Sequence, residues 1–293
     1  MESPAPATDA DTLPAQPATT RRDCALCGAP PSSGRMLAYG NAEWPMRQCV
    51  CGFVYLEKAP VYEELASNLA WEKSHGAETE RRMKEDRVAQ TISKKTRWRM
   101  HLFKRRNMTE LLVRSCVEGD VLDIGCATGL HLMGLPPEVR PHGIEISEYL
   151  GRQARENFES RGGTAYIGPA LHVMRELPSG KFAAIAMRSY LEHEAQPSDV
   201  LAEAQRILKP GGVLFIKVPN YASVNRFVRG RKWCGFRLPD HLNYFTPSSL
   251  ARMLRAAKFS VKQPWSWRLP TGDNMWVEAR ILRLLMFFQI GVV

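Results

Sequence analysis

Along the 293-residue chain the apolar residues change their rhythm near residue 119. From there they gather into short dense runs, each followed by a stretch with apolar positions three or four apart. Val121-Leu122-Asp123-Ile124, His142-Gly143-Ile144-Glu145-Ile146, 182–187 and 213–218 are the runs, and 149–160 and 199–208 carry the helical spacing. Short apolar runs bounded by Gly or Pro predict buried strands, and strands alternating with helices predict a parallel sheet covered on both faces. Crossovers in such a sheet are right-handed, and ligands sit at the carboxyl ends of its strands. Pro210-Gly211-Gly212 predicts a turn into the last of the four runs.

Upstream the pattern differs. Residues 60–115 read mostly as helix, and 97–113 sets Met100, Phe103, Met108, Leu111 and Leu112 on one helical face. Residues 23–56 form a compact unit with short apolar stretches such as Phe53-Val54-Tyr55-Leu56. The first 22 residues have the Ala/Pro/Thr/Asp composition of a disordered tail. The expected organisation is therefore a tail over 1–22, a cysteine module over 23–58, a helical connecting or lid segment over 59–115, an α/β domain over 116–280 and an apolar tail over 281–293.

Composition adds limits. Hydrophobic residues make up 44% and charged residues 24%, which is ordinary for a soluble globular protein. No run of 18 apolar residues predicts a membrane span, and the start of the chain has no secretory pattern, so the expected location is the cytoplasm. The formal charge is +10, but residues 81–106 alone hold eleven Lys or Arg against two acids. A general nucleic-acid role is thus not forced by charge. That basic stretch suits RNA phosphates, an anionic membrane surface, a diphosphate-linked substrate or simply solvent. The last thirteen residues carry one charge and are too short to span a bilayer. Packing or dimerisation is favoured there over a membrane-interface contact, and the oligomeric state stays open.

Four of seven cysteines cluster early: Cys24-x2-Cys27 and, 21 residues on, Cys49-x-Cys51. Four thiolates close a tetrahedral zinc site, and Gly28 and Gly52 follow each pair where a knuckle turn needs a small residue. Structural zinc is preferred over free thiols, although the second spacing is one residue short. Cys116, Cys126 and Cys234 are scattered, so a disulfide framework is not expected.

The most informative segment is Val121 to Gly129. A strand ends in an acid, and a glycine turn then enters a helix. Gly125 lets the backbone approach a bulky ligand, Gly129 lets the helix pack near the strand, and the helix start offers free N–H groups. Glu145 stands twenty residues after Gly125, where a carboxylate can take both hydroxyls of a ribose. No Gly-Lys-Ser/Thr loop is present, which argues against a phosphate-binding NTPase.

Leu122-Asp123-Ile124-Gly125-Cys126-Ala127-Thr128-Gly129 resembles motif I of the class I S-adenosylmethionine-dependent methyltransferases. Tyr190-Leu191-Glu192-His193 is similar to their segment after the fourth strand. Arg206-Ile207-Leu208-Lys209-Pro210-Gly211-Gly212 resembles the motif before the fifth. Asp240-His241-Leu242-Asn243-Tyr244-Phe245-Thr246-Pro247 resembles a block of bacterial members acting on small molecules and sugars. The resemblance covers roughly 115–280. It implies an α/β fold: a Rossmann-like seven-stranded sheet with helices on both faces and an antiparallel last strand, here preceded by a small zinc-ribbon-like module.

It also implies site residues. Asp123 and the turn Gly125, Cys126, Ala127, Thr128 and Gly129 would hold the methionine part of S-adenosylmethionine. Glu145 would hold the ribose, Ile146 and Ser147 would lie beside the adenine, and Arg188 would complete the set. Two departures stand out. Ala127 replaces a frequent Gly, tolerable where φ stays negative. The acid that many members carry after the third strand is missing from Ala165-Tyr166-Ile167-Gly168-Pro169-Ala170. Ubiquinone-type O-methyltransferases resemble the Glu192-His193 region and use a metal there, but position 189 is Ser, leaving such a site one carboxylate short.

Methyl transfer from a sulfonium is an in-line displacement, and a hydroxyl acceptor needs a base. His193 and His241 are the candidates for that base, although either also serves as a loop anchor. Tyr190, Tyr221, Asn243 and Tyr244 are candidate acceptor contacts. The expected function is methyl transfer to a small molecule, a hydroxyl of a sugar or glycan precursor. An RNA-modifying methyltransferase and a non-catalytic cofactor-binding scaffold are the alternatives.

Overall fold

The computed structural model describes residues 18–61, 108–115, 118–262 and 273–281. Residues 62–107 of the expected 59–115 connecting segment, the basic stretch 81–106 among them, and residues 1–17 and 282–293 of the two expected tails lie outside them.

Four apolar runs form the middle of a seven-stranded sheet. They are β6 (Gly119–Ile124), β7 (Val139–Glu145), β9 (Phe182–Arg188) and β10 (Leu208–Pro219). With β8 (Thr164–Ile167), β12 (Phe259–Lys262) and β13 (Asn274–Ile281), the order is β12-β13-β10-β9-β6-β7-β8. β6 through β10 pair in parallel, and β13 runs antiparallel to β10, as the resemblance implied. Central parallel strands are covered on both faces, which is why β6 and β9 read as continuous apolar runs.

The helices declare their starts chemically. α3 (Glu148–Glu159) is capped by the Ser147 hydroxyl, which accepts from Leu150 N at 3.3 Å, and buries Leu150, Ala154 and Phe158. α5 (Pro197–Ile207) opens on Pro197, whose missing N–H costs nothing in a first turn. α7 (Pro247–Ala256) carries a reciprocal capping box between Thr246 and Ser249. The shorter α1 (Met108–Arg114), α2 (Leu130–Met133), α4 (Ala170–Glu176) and α6 (Val224–Arg229) complete the described helices.

Some boundaries move. β7 begins at Val139 rather than His142, because Pro141 disguises an otherwise continuous strand. Residues 208–219 form one strand, and Pro210-Gly211-Gly212 makes a register shift between Leu208 and Val213, with Gly211 at φ +77°. β13 was not read from the sequence, although Met275, Val277 and Ala279 alternate inward along it. Ile281, expected to open an apolar tail, is the last residue of β13.

The N-terminal unit is joined to this sheet. β2 (Arg35–Leu37), β3 (Met46–Gln48) and β4 (Val54–Leu56) are antiparallel, and the fourth strand of their sheet is β11 (Asn243–Tyr244), supplied from far along the chain. Asn243 pairs with Tyr55, and Tyr244 with Val54. Cys24, Cys49, Phe53 and Tyr55 belong to the same apolar core as Leu191, Val218 and Phe245, with the Phe53 and Phe245 rings 5.4 Å apart.

The end of the expected disordered tail is ordered, which corrects that reading. β1 (Thr19–Arg21) pairs with β5 (Lys58–Pro60). Arg22 is buried, and its guanidinium donates to Ala195 O (3.1 Å), Leu56 O (3.4 Å), Leu242 O (3.4 Å) and Asn243 Oδ1 (2.9 Å). Composition gave no warning, because a side chain that bridges distant carbonyls leaves no local pattern. Burial lowers the Arg22 pKa to about 10, with the nearby Glu194 charge opposing, so it stays cationic at neutral pH. Arg22→Ala takes one donor from each of these four carbonyls. The expected loss is about 2–4 kcal/mol of unfolding free energy, measured by urea denaturation at pH 7.

Candidate active site at the carboxyl edge of the sheet

The glycine turn leaves β6 through three positive φ angles: Gly125 (+73°), Ala127 (+48°) and Gly129 (+76°). The left-handed Ala127 departs from the expectation of a negative φ. Its N–H is aimed at Glu145 Oε2, 2.8 Å away, and that hydrogen bond accompanies the conformation. A Cβ on Gly129 would lie 2.5 Å from the Phe158 ring, so α3 packs against the turn only because 129 is Gly. Cys126 faces the core, which leaves its backbone rather than its thiol to line the turn.

Glu145 ties the two edge turns together. One carboxylate oxygen accepts from Ala127 N and the other from Ser147 N at 3.0 Å. The Ser147 hydroxyl is taken by the α3 cap. Ile146 is partly exposed between them, and Thr128 O accepts from Asn157 Nδ2 at 2.8 Å. At the end of β8 there is no carboxylate, and Gly168 N donates to Glu145 O instead.

Asp123 is buried at the end of β6, and its Oδ1 has no hydrogen-bond partner among the described residues. Burial pushes its pKa up to about 7; the Arg188 charge opposes this, and Glu145 adds to it. Arg188, half-buried at the end of β9, is shifted down by its own desolvation against the pull of Asp123. A ligand that brings an ammonium group and hydroxyls satisfies this edge, and the exposed Gly125 backbone leaves room for it. Tyr190 leans over that turn, within 3.3 Å of where a Gly125 Cβ would stand, and its hydroxyl donates to Glu194.

The two histidines meet. Their rings form an edge-to-face pair with centroids 4.8 Å apart. His193 Nδ1 lies 2.9 Å from Asp240 O and His241 Nδ1 2.8 Å from Gly235 O. A carbonyl only accepts, so each neutral imidazole carries its proton on Nδ1 and its lone pair on Nε2. Burial lowers the His193 pKa to about 4, and Arg237 adds to that. Glu192 is buried beside them with Oε2 lacking a partner among the described residues, and burial raises its pKa to about 8. One donor atom each from Glu192, His193 and His241 lies within 4.8 Å of the others.

The remaining candidates divide. Asn243 is committed to the scaffold: its amide donates to Leu191 O (3.1 Å) and Glu194 O (2.7 Å) and accepts from Arg22. Tyr221 lies in an aromatic cluster with Trp233, Phe236 and Tyr244. The buried Tyr244 hydroxyl has no partner among the described residues, and burial raises its pKa. Arg237 was missed from sequence, and Asp240, a sequence neighbour that could have oriented His241, instead meets His193 through its backbone carbonyl. Arg237 and Asp240 form an ion pair at 2.6 Å beside the histidine pair. An Arg-x-x-Asp spacing just before His241 was the only trace of Arg237.

On the far side of β11, Cys24 and Cys51 have sulfurs 3.6 Å apart, and Cys27 and Cys49 3.4 Å apart. Four sulfurs around one zinc stand about 3.8 Å from one another, so the set has the right size. Gly28 N donates to Cys24 O (2.7 Å) and Gly52 N to Cys49 O (2.8 Å), with φ +73° and +87°, giving two matching knuckles despite the short second spacing.

A family model described as a methyltransferase domain matches residues 96–263. The chain belongs to this methyltransferase family. Its seven-stranded sheet and glycine turn are those of the class I S-adenosylmethionine-dependent members. Among similar proteins is the ubiquinone biosynthesis O-methyltransferase of Burkholderia orbicola (strain MC0-3), 29% identical over 150 residues, covering 48% of this chain and 64% of that protein. The same-named protein of Dechloromonas aromatica (strain RCB) is 29% identical over 151 residues, covering 49% and 65%. The chain therefore spans just under two thirds of the curated relatives it matches. Among solved structures, a possible histamine N-methyltransferase from Thermotoga maritima aligns at TM-score 0.45 and 22% identity, covering 65% of this chain and 96% of that one.

The methyltransferase turn yields two opposite outcomes. Ala127→Gly removes a left-handed non-glycine residue and is expected to raise the thermal midpoint by about 1–3 °C in calorimetry. Gly129→Ala drives a methyl group into the Phe158 ring at a left-handed φ and is expected to cost about 2–4 kcal/mol in the same assay.

Proposed function

We propose that this methyltransferase moves the methyl group of S-adenosylmethionine to a hydroxyl of a small-molecule acceptor, a sugar or glycan precursor. The observation that carries the reading is a juxtaposition. A buried carboxylate with an oxygen lacking a partner among the described residues and a pair of imidazoles carrying their lone pairs on Nε2 stand at the carboxyl ends of adjacent strands, β6 and β9. The ubiquinone-pathway names of the relatives agree with a small-molecule acceptor.

Asp123 receives the cofactor's ammonium group, and the backbone of Gly125–Gly129 closes around its methionine end. Glu145 takes the ribose hydroxyls while keeping its two backbone donors. Ile146 borders the adenine. When bound, the cofactor supplies an electrophilic methyl group on a sulfonium. His193, fixed by Asp240 O, accepts the acceptor hydroxyl's proton on Nε2, and His241 orients that hydroxyl. Tyr190 and Tyr244 wall the pocket and exclude water, which strengthens each polar contact inside it. Cys24, Cys27, Cys49 and Cys51 bind structural zinc that stiffens the sheet holding Tyr244.

Thermal unfolding with S-adenosylhomocysteine tests the cofactor site. At about 100 times its dissociation constant the ligand adds roughly 2.7 kcal/mol, a rise of about 5–10 °C. Asp123→Ala abolishes the shift if the assignment holds. An unshifted wild-type midpoint leaves a scaffold without cofactor.

The pH dependence has a definite sign. The folded pKa of Asp123, about 7, lies above the ordinary carboxylate value. Its contribution to the stability of the free protein is therefore present below the unfolded value and lost as pH rises through 7. An ammonium ligand needs the ionised form, so affinity for S-adenosylhomocysteine is expected to climb about tenfold per pH unit from 5 to near 7 and then level off. Isothermal titration across pH measures this, and Asp123→Asn should flatten the profile.

A further inference from the structure

The segment 221–239 leaves β10 at the same edge and contains Arg226, Arg229, Arg231, Lys232 and Arg237 with no Asp or Glu. Within it α6 turns Val224, Phe227 and Val228 outward, with 52%, 68% and 79% of their surface exposed. Eight large hydrophobic residues are exposed among the described residues, and three of them fall in this one helix. Arg231 and Lys232, in the turn that follows, are exposed beside them.

The platform beneath is fixed. Asp273 accepts from Asn225 Nδ2 at 2.8 and 2.9 Å and from Trp233 Nε1 at 2.8 Å, which ties α6 and the residue after the following turn to one carboxylate. The Arg226 guanidinium lies buried 3.9 Å from the Phe227 ring centroid and 4.3 Å from that of Tyr221. The apolar side chains are thus presented from a rigid base.

We propose that Val224, Phe227, Val228, Arg231 and Lys232 form a surface that docks on an anionic lipid bilayer, with the apolar side chains entering the headgroup boundary and the cations meeting lipid phosphates. Aliphatic and aromatic residues ringed by Lys and Arg suit that interface. A second copy is disfavoured because two such faces would oppose cation to cation. RNA is disfavoured because Val224 and Val228 offer no face on which a base can stack. The surface stands independently of the methyl-transfer reading.

The test is sedimentation of the full chain with phosphatidylcholine vesicles and with vesicles containing phosphatidylglycerol, over a salt series. The wild type is expected to pellet with the anionic vesicles and to be released by salt. Phe227→Asp combined with Val228→Asp, and separately Arg231→Ser combined with Lys232→Ser, should each weaken binding by about tenfold or more. An unchanged thermal midpoint shows that the variants remain folded, and the S-adenosylhomocysteine-induced shift is scored apart, so a failed cofactor site and a failed membrane face are distinguishable. Three results overturn the proposal: no pelleting of the wild type with anionic vesicles, equal pelleting of folded variants, or a patch-dependent dimer or RNA complex in place of vesicle binding.

Discussion

The backbone of residues 241–244 is held from two directions at once. Leu242 N and Asn243 N both donate to Glu192 O, at 2.8 and 3.0 Å. On the other side Leu56 N donates to Leu242 O, β11 pairs with β4, and Arg22 reaches the same carbonyl and the Asn243 amide. A loop after a parallel strand normally lies on the surface and moves. Here it is sandwiched between the LEH turn and a second sheet, so the His193–His241 pair has one geometry. Without these bonds the two imidazoles would belong to independent loops.

The cofactor end follows a different logic. Its carboxylates are buried before any ligand arrives. Glu145 accepts from two backbone N–H donors, whereas Asp123 has an oxygen without a partner among the described residues and a raised pKa. One acid is already stabilised by the fold and the other waits for a cationic partner. A polar group left partly unsatisfied in the interior costs stability, and such costs concentrate where ligands bind.

Much of this was legible beforehand. The strand runs, the glycine turn, Glu145 and the cysteine pairs are local patterns, and local patterns survive in sequence. The left-handed Ala127 was not legible, because its conformation accompanies a hydrogen bond to a residue eighteen positions away. Nor was the role of Asn243, whose side-chain partners are Arg22 and the distant turn 191–194. Arg22 and the pairing of β11 with β4 escaped for the same reason: contacts across two hundred residues leave no periodicity. Composition even pointed the wrong way at 19–22, where a polar stretch is ordered by what it touches.

The shared four-stranded sheet has a consequence for how this chain can be divided. A fragment that began after the cysteine unit would leave Asn243–Tyr244 as a naked strand edge with unpaired backbone groups, beside the newly uncovered Phe245 and Leu242. Such edges invite foreign strands and clumping. The cysteine unit and the larger fold therefore share one hydrogen-bonded sheet, and cutting between them would leave neither with a finished border.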